Sequence, residues 1–308
     1  MPCFSLVIEE RIPRNLRLDR YVSANLCLLS RSQIKARNLK AKINGKDVKL
    51  SRPVKYGDTL ELFWEEAAPQ NIIPQDIPLD IVYEDKRCVV INKAQGMVVH
   101  PGAGNRQDTM ANALYFRILN MGGSVNTNSV RPGIVHRLDK DTSGIIIAAY
   151  DDEAHAFFAQ QFKSRKVKKT YIAIVCGIPK EINGRIETFI ARDQKDRKRF
   201  TVSASGKRAV TFYKVIKTWQ NYSLVLLRPK TGRTHQLRVH MRYLNFPILG
   251  DPVYGYQDKR FPDTSLMLHS KTLEITLPGE ADARIFSSAV PERFTGIIEK
   301  LDRSSMNG

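Results

Sequence analysis

Pro132-Gly133-Ile134-Val135-His136-Arg137-Leu138-Asp139-Lys140-Asp141-Thr142-Ser143-Gly144-Ile145-Ile146-Ile147-Ala148-Ala149 sets a dense polar turn between two short apolar runs. The β-branched residues of those runs, punctuated by Gly133 and Gly144, favour buried strands over helices. A turn clamped by buried strands is rigid, and it puts Asp139 on a loop near a strand end. The chemistry of the chain is therefore sought here first.

Spacing alone leaves the turn open to several readings. Asp139, Asp141, Thr142 and Ser143 have short polar side chains of the kind that bond backbone amides in ordinary turns. A calcium loop is disfavoured. Asp139, Asp141, Ser143 and Gly144 stand at its first, third, fifth and sixth positions, but Tyr150 takes the twelfth, where a bidentate Glu belongs. An aspartyl-phosphate nucleophile is disfavoured by Asp141, whose charge repels an incoming phosphate.

Around this turn the chain has 308 residues, 42% of them hydrophobic, enough for a sizeable core and more than one folding unit. Lys+Arg number 49 against 31 Asp+Glu, a net charge of +18. Such a surface attracts polyanions, and nucleic acid is the leading partner. The basic residues are spread over several segments rather than gathered on one amphipathic helix, which argues against a membrane-surface protein. Cys3, Cys27, Cys88 and Cys176 are isolated from one another, as in reduced compartments. With no signal-peptide pattern at the N-terminus and no apolar run approaching ~18 residues, the expectation is a cytoplasmic protein without a membrane partner.

Toward the N-terminus, residues 12–64 read as a compact helix-helix-hairpin domain. Leu18, Tyr21, Val22 and Leu26 recur at helical spacing, and Ser30 with Gln33 forms a capping-box pattern opening a second helix. Arg31, Lys35, Asn38 and Lys42 fall on one helical stripe, against which a phosphate backbone can lie. Asn44-Gly45 is a strong hairpin signal and sets Lys42 at the helix end or just past it. Residues 65–78, broken by Pro69, Pro74 and Pro78, read as a linker, and a second domain is expected over 79–308.

Toward the C-terminus, Asp151-Asp152 open a helix whose Ala154, Phe157, Phe158, Gln161 and Phe162 give a largely apolar face, and Tyr171-Ile172-Ala173-Ile174-Val175 is a strand. The segment Arg192–Arg208 is a basic ribbon, with Arg197 and Arg199 beside Phe200, suited to RNA. Thr234 reads as the N-cap of a further helix. His235 and His240 lie on that helix roughly 140° apart, unlike the i, i+4 pair of a zinc site, so no metal is expected. Glycine loops for nucleotide cofactors are absent, and no cofactor is expected.

The string His136-Arg137-Leu138-Asp139-x-x-Thr142-Ser143-Gly144 resembles the active-site motif of the RluA-type pseudouridine synthases. The resemblance continues in Lys169-Thr170-Tyr171-Ile172-Ala173, in Gly232-Arg233-Thr234-His235-Gln236-Leu237-Arg238-Val239-His240 and in Gly250-Asp251-Pro252-Val253-Tyr254-Gly255. It spans nearly the full length and is strongest toward the members that act on large-subunit ribosomal RNA. Where the family has Lys-Pro, this chain has Lys93-Ala94, which leaves only a local turn shape in doubt.

The resemblance implies an α+β protein: a small S-four-type RNA-binding domain, then a synthase domain with a central mixed, mainly antiparallel sheet flanked by helices and loops. It implies isomerisation of uridine to pseudouridine in large-subunit ribosomal RNA or a pre-ribosomal particle, by a monomer and without a cofactor. Carried over, Asp139 is the nucleophile, Arg233 its ion-pair partner, and Tyr171 the group that stacks on the base and assists proton removal. Arg137 takes the place of the flipped nucleotide. Two other readings stay open here: a catalytically idle RNA-binding assembly factor, and a synthase acting on transfer RNA.

Overall fold

The structure is a computed structural model and describes residues 3–26, 28–29, 31–65, 72–102, 104–121, 133–196 and 198–306. The chain divides into two units, Met1–Gln70 and Asn71–Gly308. None of the described helices is long and apolar enough to cross a membrane.

The first unit is mostly strand. Cys3–Val7 (β1), Lys40–Ile43 (β2), Lys46–Val48 (β3) and Thr59–Phe63 (β4) form one antiparallel sheet in the order β1-β4-β2-β3. Asn44 and Gly45 both take positive φ, 52° and 73°, and close the expected β2–β3 hairpin. Leu18–Arg20 (α1) runs into a π-helical turn, Tyr21–Asn25, and Arg31–Ala36 (α2) follows. Leu18, Tyr21, Val22 and Ile34 pack on Ala41, Ile43, Leu60 and Leu62 of the sheet.

Two expectations for this unit are corrected. Its helical part is far shorter than a helix-helix-hairpin reading requires, and β1 lies ahead of the expected start at residue 12. Nor is the basic stripe continuous. Asn38 takes φ 48°, Leu39 N–H bonds Ile34 O at 3.1 Å and Asn38 N–H bonds Lys35 O at 3.4 Å, which together form a helix-terminating Schellman turn. Lys35 is exposed on α2, whereas Lys42 lies on β2 opposite Asp47 and Glu61. The side chain of Arg31, and Ser30 with its cap, lie outside the described residues.

The second unit is built from Ile81–Glu84 (β5), Cys88–Lys93 (β6), Met110–Asn120 (α3), Ser143–Ala149 (β7), Asp152–Lys163 (α4), Lys168–Cys176 (β8), Asn183–Arg192 (β9) and Phe200–Val202 (β10). Lys207–Trp219 (β11), Tyr222–Pro229 (β12), Gln236–Tyr243 (α5), Leu268–Thr276 (β13), Ala283–Ser287 (β14) and Glu292–Met306 (α6) complete it. Nine strands run in the order β10-β9-β11-β12-β8-β13-β7-β6-β5, and β14 pairs with β13. Every pairing is antiparallel except β13 with β7, so the sheet is mixed and mainly antiparallel. Ahead of the expected domain start at Leu79, the residues from Ile72 already dock on α3: Asn112 Nδ2 donates to Ile73 O at 2.8 Å.

All seven residues of β7 are buried because the sheet is covered on both faces. Ile146 and Ala148 join Val89 and Ile91 of β6 under α3 and α6, where Met110, Leu114, Phe294 and Leu301 lie. Ile145, Ile147 and Ala149 join Cys88 and Val90 on the other face, under Ala154 and Phe158 of α4. Asp151 caps α4, its carboxylate accepting Ala154 N–H at 2.8 Å. Phe157, expected on the apolar face, is exposed. The run before the polar turn is not a strand: Ile134 makes a single bridge to Ala148.

Candidate active site

The Asp139 loop and Tyr171 meet through a strand that belongs to neither. Gly144 of β7 stands opposite Ser270 of β13, and Ser270 stands opposite Tyr171 of β8. Gly144 has φ 111°, and a Cβ there would fall 2.2 Å from Ser270 O. Gly133, with φ 71°, would set a Cβ 2.1 Å from Ala149 O. Both glycines are required by close backbone approach as well as by conformation.

Between them the loop is pinned from below. Thr142 N–H donates to Asp139 O at 3.1 Å, closing a tight turn. The Lys93 ammonium, fully buried at the end of β6, donates to Ala94 O, Met97 O and Lys140 O at 2.8, 2.9 and 3.0 Å. Burial lowers its pKa to about 8, against the opposing pull of the Asp141 and Asp139 charges. These three bonds use all the donors of the ammonium, so Lys93 holds the loop rather than facing the pocket.

A pocket of about 110 Å³ opens above the loop and is lined by Arg137, Asp139, Tyr171, Arg233, His235 and Arg238, among others. Tyr171 is 8% exposed, and burial pushes its hydroxyl up to about 12, so it is neutral throughout the physiological range. Arg137 is exposed at the rim.

The arginine that pairs with Asp139 is Arg238, not Arg233. Arg238 is 3% exposed, and one of its terminal nitrogens lies 3.8 Å from Asp139 Oδ2. Its Nε and other terminal nitrogen hold Asp251 in a two-point contact at 2.7 and 2.6 Å. Burial alone would raise the Asp251 pKa, but these bonds and the N–H groups of Val253 and Tyr254 hold the carboxyl below its usual range. Arg233 lies outside α5, and its Nε donates to Arg208 O at 3.1 Å.

The cause is where α5 begins. Its N-cap is His235, not Thr234, and His235 takes the left-handed conformation, φ 56°. Gln236 Oε1 accepts from Arg233 N–H at 3.0 Å and from Thr231 Oγ1 at 2.7 Å, fixing the entry to the helix. Arg238 then shares the buried face with Leu237 and Met241. The His240 ring nitrogens lie 3.0 and 2.8 Å from the hydroxyls of Thr188 and Thr211, so this is a satisfied core histidine.

Tyr254, which the sequence reading assigned no role, ties the basic ribbon to the pocket. Its hydroxyl accepts Phe200 N–H at 2.8 Å and lies 2.8 Å from His235 Nδ1, which leaves it to donate to that nitrogen. The guanidiniums of Arg199 and Arg238 lie 5.6 and 5.2 Å from its ring centre. Arg199 is thereby placed within two contacts of the Asp139 pair, while Arg197 lies outside the described residues. The signal for Asp251 and Tyr254 was in the Gly250–Gly255 motif: an acid in a largely apolar stretch needs a buried cation.

A family profile described as RNA pseudouridylate synthase matches residues 87–243. The ribosomal large subunit pseudouridine synthase D of Borreliella burgdorferi is 47% identical over 296 residues, covering 94% of this chain and 90% of that protein. The protein of the same name from Zymomonas mobilis is 41% identical, covering 79% and 78%. Among solved structures, human RNA pseudouridylate synthase domain containing 1 superposes with a TM-score of 0.58 at 25% identity, covering 74% of this chain and 96% of that one.

Proposed function

The chain belongs to the RNA pseudouridylate synthase family, and from that premise we propose that it converts uridines of large-subunit ribosomal RNA to pseudouridine with Asp139 as nucleophile. One observation carries the mechanism: a half-buried carboxylate, a neutral buried tyrosine and an arginine already neutralised by a second carboxylate line one pocket. Because Asp251 balances the Arg238 charge, Asp139 is attracted and oriented without losing its proton-accepting, nucleophilic character to a direct hydrogen bond. The substrate assignment rests on the names of the relatives and on the net charge of +18.

In the reaction the bond between ribose carbon 1 and base nitrogen 1 breaks, the uracil turns, and carbon 1 bonds base carbon 5. Carbon 5 loses a proton and nitrogen 1 gains one, so mass is unchanged. Tyr171 stacks on the base, and its protonated hydroxyl relays rather than starts the removal of the carbon 5 proton. Arg137, exposed at the rim, fills the stack vacated by the flipped nucleotide. Tyr171→Phe keeps the ring, so RNA affinity should change less than about threefold while single-turnover rate falls about a hundredfold. Full turnover in this variant would leave stacking as its only contribution.

We also infer that the first unit is an S-four-type RNA-binding domain, on the strength of its exposed Lys35 and its closed hairpin. Removing residues 1–64 should weaken RNA binding and flatten its dependence on salt. An unchanged slope would count against it. The substrate assignment is tested by mapping pseudouridines in large-subunit ribosomal RNA and transfer RNA from cells with and without the gene. Loss confined to transfer RNA would move the substrate, and no loss at all would refute it.

A further inference from the structure

Beside the active-site pocket lies a second cavity of about 420 Å³, and its wall carries Arg137, Lys163, Arg165, Lys169, Lys230 and Arg233. Asp and Glu are missing from its lining among the described residues. The ion pairs of the described residues engage none of these six cations. Six basic side chains from four separate segments converge on this one cavity, and a cleft lined by one sign of charge focuses its field on an anion. The cavity shares Arg137, Lys169 and Arg233 with the active-site pocket, so whatever fills it touches the reacting nucleotide's surroundings.

Two features show that the cavity is constructed rather than incidental. Its floor is rigid and uncharged: His136 stacks on Phe162, with ring centres 4.5 Å apart, and its Nε2 accepts Ile147 N–H at 3.1 Å. Burial depresses the His136 pKa to about 3, so the ring adds no charge, and the Lys169 ammonium sits 5.7 Å from the Phe162 ring centre. The second feature is Arg165. It ends α4 at the position where a helix ordinarily places Gly, with φ 59°, Arg165 N–H on Phe162 O at 3.2 Å and Lys166 N–H on Gln161 O at 3.0 Å. A long side chain in that conformation is strained, and here it lines the cavity.

We propose that this cavity is a second RNA subsite, which seats the phosphodiester and sugar of the nucleotide adjoining the flipped uridine. The proposal rests on the reading of the neighbouring pocket as a pseudouridine synthase site. A volume of about 420 Å³ suits one nucleotide unit, and the cations surround it as a phosphate requires. The subsite holds the strand on the far side of Arg137 from the reacting base, so that the extruded uridine is gripped by its backbone.

The test is RNA binding by the full chain, measured as affinity against salt with a large-subunit ribosomal RNA fragment. Lys163→Glu/Lys230→Glu should weaken binding at least tenfold and flatten the salt slope by about 0.7, the value for one phosphate contact on a single strand. Lys259→Glu/Lys300→Glu reverses two exposed lysines that line none of these cavities and should cost less than threefold. Equal losses in the two variants would mean a diffuse basic field and overturn the subsite. Arg165→Gly should raise the melting temperature and lower RNA affinity together; a rise in stability with unchanged affinity also overturns it. Binding does not depend on turnover, so a wild-type protein that makes no pseudouridine would sink the function and leave this measurement standing.

Discussion

Asp139→Asn is expected to lower pseudouridine formation by about 10⁴-fold or more, about 5.5 kcal/mol in barrier, while the protein stays folded. The amide matches the carboxylate in shape but has no charge and no nucleophilic oxygen. Stability should change by less than about 1 kcal/mol, because the turn is held by hydrogen bonds to Asp139 O and from the Lys93 ammonium to Lys140 O, none of which uses the Asp139 carboxylate. A purely structural Asp139 predicts the opposite pattern: a lowered melting temperature, with activity lost only in proportion to unfolding. Melting curves and single-turnover assays on one preparation separate the two. A folded Asp139→Asn protein that still makes pseudouridine would sink the mechanism.

Arg238→Met should be damaging in two separable ways. It leaves Asp251, whose side chain is 0% exposed, as a buried charge without a counter-charge, at a cost of about 3–5 kcal/mol. It also removes the cation 3.8 Å from Asp139. Arg238→Met with Asp251→Asn removes both charges of the buried pair yet keeps a side-chain oxygen for the Val253 and Tyr254 N–H groups, and should recover much of the stability while activity stays abolished. Arg238→Lys keeps a charge but loses the planar two-point contact, so its activity should fall between wild type and Arg238→Met. The same change at Arg233 should lower the single-turnover rate far less, since that guanidinium rests on a backbone carbonyl. If Arg233→Lys proves the more damaging at saturating RNA, the pairing read from the geometry is wrong.

The contrast between these two arginines shows how far the sequence could be read. The polar turn, the fully apolar strand after it and the strand carrying Tyr171 are local patterns, and each appears in the fold where its periodicity puts it. Arg233 and Arg238 lie five residues apart in one motif, and choosing between them needs the exact helix start. A left-handed His235 moves that start one residue past the ordinary cap at Thr234, and no propensity anticipates a strained cap. The burial of Arg238 was legible all the same, since Leu237 and Met241 mark the inward face and Asp251 demands a partner. In the first unit the stripe failed at Asn38, a residue well suited to the left-handed turn that stops a helix. Lys93 was read only as part of a local turn, because an apolar strand ending in lysine suggests a side chain in solvent, not one spent on three carbonyls.

The strand between β7 and β8 has a consequence in time as well as in space. β13 ends at Thr276, so the two halves of the pocket, at Asp139 and Tyr171, are brought into register by residues synthesised about a hundred positions after Tyr171. Closing so long a loop is entropically costly and slow compared with forming the β11–β12 hairpin or α4, both complete well before. A nascent chain that lacks β13 has its nucleophile and its tyrosine but nothing that sets them side by side. Active enzyme therefore arises only once Leu268–Thr276 has been made, and a protein shortened within that strand would keep basic surface for RNA while having no site to act on it.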